Sequence, residues 1–130
     1  MIHHVALWTE NPERLRNFYC RYFGGAAAPL YENTGKGFRS YFVRFAYGPS
    51  LEIMSRTDVK DRPGKEVLGY CHLAFSFGSE KEVTEWTTRV REEGFAILSA
   101  PRTTGDGYFE SVVADPDGNP VELVYDPLDR

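Results

Sequence analysis

Apolar and polar positions alternate from the start of the chain: Val5 and Leu7 fall on one side of an extended segment, His4, Ala6 and Trp8 on the other. This spacing predicts a strand over about 2–9. Asn11-Pro12-Glu13 then marks a helix start, with Asn11 as N-cap and Pro12 at the first helical position. Leu15, Phe18, Tyr19, Tyr22 and Phe23 recur at helical spacing until Gly24-Gly25 ends the run. Three strands are predicted next, at about 26–31, 38–47 and 50–56, with turns at 33–37 and at Gly48-Pro49. After a polar link from Thr57 to Gly69 the order repeats. A strand over about 70–77 precedes a helix opened by Ser79 and Glu82 as a capping box. The stripe Val83, Trp86, Val90 runs to Gly94, and strands follow at about 95–99, 108–114 and 120–125.

Each half thus reads β-α-β-β-β. Neither half covers both faces of its own four strands, whereas two halves side by side do, with helices outside and a curved sheet within. The predicted fold class is α+β: two βαβββ modules, 1–57 and 69–127, forming a curved eight-strand sheet in a single domain over 1–130.

The repeat extends to individual side chains. His4-Val5-Ala6-Leu7 and His72-Leu73-Ala74-Phe75 are near-copies, as are Leu51-Glu52-Ile53 and Val121-Glu122-Leu123. The histidines stand 68 positions apart and the glutamates 70. By alternation all four lie opposite their apolar neighbours, on a face that also carries Ala6 and Trp8 in one copy and Ala74 and Ser76 in the other. Small, aromatic and ligand-type residues in place of mixed surface charges describe a pocket floor. Two imidazoles and two carboxylates suit one divalent first-row ion of octahedral preference, with two positions left for water or substrate oxygens. His3 has the opposite parity to His4 and is expected at the surface or an edge. Cys71, alternating with His72, is expected to be a small buried thiol.

Charge and composition narrow the partners. A net charge of -4 gives no reason to expect nucleic acid or an anionic membrane surface. No stretch nears the ~20 apolar residues of a membrane span, and no basic segment with an apolar run stands at the N-terminus. The expected compartment is the cytoplasm. Two cysteines are too few for a disulfide framework.

His4-Val5-Ala6-Leu7, Phe18-Tyr19 before Gly24-Gly25, Leu51-Glu52-Ile53-Met54, His72-Leu73-Ala74-Phe75 and Asp115-Pro116-Asp117-Gly118-Asn119 before Glu122-Leu123 together carry a resemblance. Over about 2–126 the chain resembles the vicinal-oxygen-chelate superfamily, the glyoxalase I and bleomycin-resistance-like proteins. The resemblance implies a cup around one divalent metal ion (Ni, Co or Zn). In the glyoxalase I branch the ligands run His, Glu or Gln, His, Glu, which falls here on His4, Glu52, His72 and Glu122. It implies a lactoylglutathione lyase-like enzyme that isomerises a small α-oxo or α-hydroxy carbonyl compound through a metal-stabilised enediolate. Glu122 would carry the proton, with Glu52 as its partner on the other side of the carbon. A homodimer is also implied, and open edges of curved sheets favour such pairing.

The substrate end departs from that pattern. Bacterial glyoxalase I proteins place an Arg four residues after the first His and an Asn four after the first Glu, both holding glutathione. Here those positions are Trp8 and Arg56. Trp8 stacks but makes no ion pair with a carboxylate, and Arg56 suits an anion, which leaves glutathione doubtful as a partner. Arg44 shares the parity of Phe42 and, inside a cup, needs an anion. That anion is a substrate group or an internal carboxylate, Glu52 or Glu110, and the internal pair is the expectation. Asp115–Asn119 has turn chemistry rather than calcium-loop spacing. Two other functions stay open: a non-catalytic protein that sequesters a small planar or hydrophobic molecule, and an Fe(II) dioxygenase. The ligand set argues against the first, and Glu52 as a fourth ligand against the second.

Overall fold

A computed structural model describes residues 1–64 and 66–130. By its internal contacts the chain divides into two units, Met1–Gly64 and the remainder to Arg130, each a sheet with one helix packed on it.

The first unit runs β1 (His4–Trp8), α1 (Pro12–Phe23), β2 (Ala26–Ala27), β3 (Tyr31–Asn33), a 3-10 turn (Thr34–Lys36), β4 (Phe38–Arg44) and β5 (Ser50–Arg56). The Asn11 side chain accepts the Arg14 N–H at 3.0 Å, Pro12 takes the first helical turn, and Gly24 ends α1 in the left-handed region at φ 67°. Strand order is β1-β5-β4-β2, with β3 also on β4; β1 runs parallel to β5 and the other pairs are antiparallel. The single strand expected at 26–31 is instead two short ones. Pro29 between them has no N–H to give a ladder. Leu15, Phe18, Tyr19 and Tyr22 of α1 bury against the sheet face that carries Tyr41, Val43, Leu51 and Ile53. That leaves the opposite face, with His4, Ala6, Glu52 and Phe42, free of the helix.

The second unit runs β6 (Leu73–Ser76), α2 (Glu80–Glu92), β7 (Ile97–Thr103), β8 (Phe109–Ala114) and β9 (Pro120–Tyr125), in the order β6-β9-β8-β7. Ser79 Oγ accepts the Glu82 N–H at 3.1 Å, and the Glu82 carboxylate reaches back to the Gly78 N–H at 2.7 Å, one residue earlier than a standard capping box. Val83, Thr87 and Val90 of α2 are buried with Ser111, Val113, Val121 and Leu123 of the sheet. The expected stripe had Trp86 on this face; Trp86 is half-buried and Thr87 takes the interior place. Thr87 is tolerated there because its hydroxyl donates to the Val83 carbonyl at 2.6 Å and lies 2.6 Å from Ser111 Oγ.

Two further departures bear on the site. The strand expected over 70–77 starts only at Leu73, so Cys71 and His72 precede it. Cys71 is exposed, not buried: outside a ladder, alternation no longer fixes which way a side chain points. The Asp115–Asn119 segment is a turn as expected, with Asp115 accepting the N–H groups of Asp117 and Asn119, each at 2.9 Å. Among the described residues no helix is long and apolar enough to cross a membrane.

Candidate metal centre

Matching registers place the ligand candidates. In the first unit Ala6 lies opposite Glu52 across the parallel β1/β5 pair; in the second, Ala74 lies opposite Glu122 across β6/β9. Each histidine stands two residues before its alanine: His4 lies within β1, on the same face as Glu52 and diagonal to it, while His72 lies one residue ahead of β6 and reaches Glu122 from there. A methyl group opposite the carboxylate leaves the glutamate room to swing toward the imidazole. His4 Nε2 lies 3.7 Å from Glu52 Oε1, and His72 Nε2 lies 3.3 Å from Glu122 Oε2. Both glutamates are largely covered (17% and 14% side-chain exposure) while both histidines remain accessible (37% and 40%).

These distances test the fit to a metal. Two donors ~2.1 Å from one ion and ~90–110° apart stand about 3.0–3.4 Å from each other. The second pair lies within that span and the first just beyond it, while both are too long for a good N–H···O hydrogen bond. A nitrogen lone pair and a carboxylate oxygen at this separation suit adjacent positions on a cation, so the donor sets fit the group. Within each unit, among the described residues, the His–Glu pair gains no third His, Cys, Asp or Glu as a metal-holding cluster.

Glu122 has a more demanding environment. Burial raises its carboxyl above the ordinary 4.5, and a hydrogen bond and charge from Glu110 raise it further, while His72 pulls the other way. Glu110 faces Val124 across β8/β9, which puts it diagonal to Glu122 on the same face.

The remaining predicted site residues cluster at the far end of the first sheet or at its margin. Trp8 packs edge-on against Phe38 at 6.3 Å, Phe38 against Tyr31 at 6.0 Å, and the Arg56 guanidinium sits 5.2 Å over the Trp8 ring. Arg56 also pairs with Asp58 at 2.5 Å, which satisfies its charge internally. Arg44 is exposed at the end of β4, and among the described residues of the first unit the ion-pair partner of Glu52 is His4 rather than Arg44. The strand has turned that side chain to solvent, where water solvates it at little cost. A cavity of about 520 Å³ in the first unit lies beyond the Trp8 end, lined by Thr9, Arg39, Ser55, Arg56, Thr57 and Lys60 among others, and neither His4 nor Glu52 lines it. Arg39 there is taken up by Glu13 and Glu32.

A model of the Glyoxalase/Bleomycin resistance protein/Dioxygenase superfamily matches residues 1–123. The chain belongs to this superfamily. Its fold is similar to that of the glyoxalase family protein from Enterococcus faecalis, at 28% identity over 95% of this chain and 96% of that one, with a TM-score of 0.78. It is also similar to the trypanothione-dependent glyoxalase I of Leishmania major, at 20% identity over 96% of this chain and 86% of that one, TM-score 0.76. Lactoylglutathione lyase from Agrobacterium tumefaciens is similar at 20% identity over 96% and 92%, TM-score 0.69. At such identities the last two establish shared architecture. No curated protein matches the chain.

For this superfamily member, sequence alone missed Glu110 as a neighbour of Glu122. Its signal was available only as a cross-strand diagonal, because β8 and β9 are joined by a turn whose length sets the register.

Proposed function

We propose that the protein is a metal-dependent, glyoxalase-like lyase or isomerase of a small α-oxo or α-hydroxy carbonyl compound, acting as a homodimer. His4, Glu52, His72 and Glu122 are the ligands of one divalent ion, nickel, cobalt or zinc. The observation that carries this reading is the duplicated pairing of His Nε2 with Glu Oε, at 3.7 and 3.3 Å, on equivalent strand pairs.

When bound, such an ion polarises two neighbouring oxygens of the substrate and eases loss of the proton on the adjoining carbon. Glu122 is the proton carrier: its burial and the neighbouring Glu110 favour holding a proton, as a general base must after it has acted. Glu52 serves the other face of the same carbon. Trp8 and Phe38 offer an apolar wall on the sheet face that carries His4 and Glu52, so they take the substituent of the carbonyl compound. Arg56 is occupied by Asp58 and Trp8, which supports an uncharged substituent over the carboxylates of glutathione.

Elemental analysis of the purified protein, followed by deuterium exchange into α-hydroxy and α-oxo carbonyl compounds, tests the reading. One equivalent of metal and exchange that disappears in Glu122→Gln are expected. A metal-free protein that binds the compounds without exchange would instead mark a sequestering function, and oxygen consumption with iron a dioxygenase. Sedimentation as a monomer at micromolar concentration would remove the dimer from the proposal.

A further inference from the structure

We propose that His3, which neither ligates nor reacts in the reading above, is the positioning residue for His4. The inference rests on that metal-binding reading. The Nδ1 atoms of the two rings are 2.8 Å apart, within N–H···N hydrogen-bond distance, and the rings meet edge to face with centroids 5.1 Å apart at 83°. Two nitrogens at this separation share one proton. When His4 donates it, the neutral His4 ring keeps a bare lone pair on Nε2, the atom that faces Glu52. When His3 donates it instead, a neutral His4 carries its proton on Nε2 and has no lone pair there for a cation. The first arrangement is the one a metal selects.

Ligating imidazoles generally donate their second N–H to an acceptor that fixes ring and tautomer. Here the acceptor is supplied by the preceding residue. On its other side the His4 ring meets Phe42 edge to face, with centroids 5.3 Å apart at 76°. His3 and Phe42 together therefore orient a ring whose side chain is 37% exposed and would otherwise turn freely. Among the described residues the second copy of the repeat lacks this device. Cys71 occupies the place that corresponds to His3, it is exposed, and a thiol is a weak acceptor. The first half of the ligand set is thus pre-oriented by a hydrogen bond that the second half does not share.

Titration of metal-free protein with Co(II) alone, followed by its visible absorption, separates the claims without reference to activity. His4→Ala should lose stoichiometric uptake. His3→Leu, similar in bulk without an acceptor, should raise the dissociation constant by ~10–100-fold. His3→Asn, whose amide oxygen stands near the former Nδ1, should recover most of that loss, and Cys71→Ala should bind like the wild type. Circular dichroism of each metal-free variant checks that it is folded. Wild-type affinity in His3→Leu, equal weakening in His3→Asn and His3→Leu, or an equal loss in Cys71→Ala would each overturn the role of His3. Full uptake by His4→Ala would overturn the metal reading itself, and this inference with it.

Discussion

Replacing His72 by Ala should abolish most of the stabilisation that a divalent ion gives the protein while leaving the metal-free fold nearly untouched. The side chain precedes β6, is 40% exposed and reaches toward Glu122, so its loss opens no core cavity. A change within about 0.5 kcal/mol is expected for the metal-free variant. Structural zinc sites with four protein donors bind with roughly 10–16 kcal/mol. One donor in four then carries ~3 kcal/mol, or ~150-fold in affinity. At a metal concentration 100 times the wild-type dissociation constant, linkage stabilises the wild type by ~2.7 kcal/mol and the variant by ~0.3 kcal/mol. An unfolding entropy of about 2.1 cal/mol/K per residue over 130 residues converts the ~2.4 kcal/mol difference to ~9 °C. Differential scanning calorimetry with and without nickel or zinc measures both quantities. A metal-induced rise as large in His72→Ala as in the wild type would refute the reasoning, because three donors would then do the work of four.

Other outcomes follow from particular contacts. Thr87→Val should cost ~1–3 kcal/mol by leaving the buried Ser111 hydroxyl without its partner; adding Ser111→Ala should recover part of that in urea denaturation, and a purely additive pair would disprove the coupling. In metal-free protein the raised carboxyl of Glu122 contributes stability that is present below pH 4.5 and lost as pH rises through its folded-state value. Glu122→Gln lacks this loss, so its stability relative to the wild type should improve from acid to neutral pH; a constant difference across that range would contradict the burial argument. With the methylglyoxal–glutathione hemithioacetal, metal-loaded protein should turn over weakly, since Trp8 offers no cation and Arg56 is held by Asp58. A kcat/KM near ~10⁶ M⁻¹s⁻¹ would show that glutathione is recognised by other groups.

Local pattern was enough to find both helices, because Asn11, Ser79 and Glu82 act on backbone groups within three or four residues of themselves. It also placed strands at Ser50–Arg56 and Pro120–Tyr125 with the bounds the structure shows, since Leu51 and Ile53 alternate with Glu52, and Val121 and Leu123 with Glu122. The same period put His4, Ala6 and Glu52 opposite their apolar neighbours, and the repeat singled out four ligand candidates. Period cannot say which residues meet across strands. The 3.7 and 3.3 Å pairs depend on the registers Ala6–Glu52 and Ala74–Glu122, which only the folded ladders set. Tertiary structure likewise decided that Glu110 lies beside Glu122, that Thr87 rather than Trp86 is buried, and that Cys71 stands outside its strand. It also turned His3 from a residue of the wrong parity into the hydrogen-bond partner of His4. Alternation describes a side chain only while its backbone is held in a ladder, and the ends of ladders are fixed by partners that lie far away in sequence.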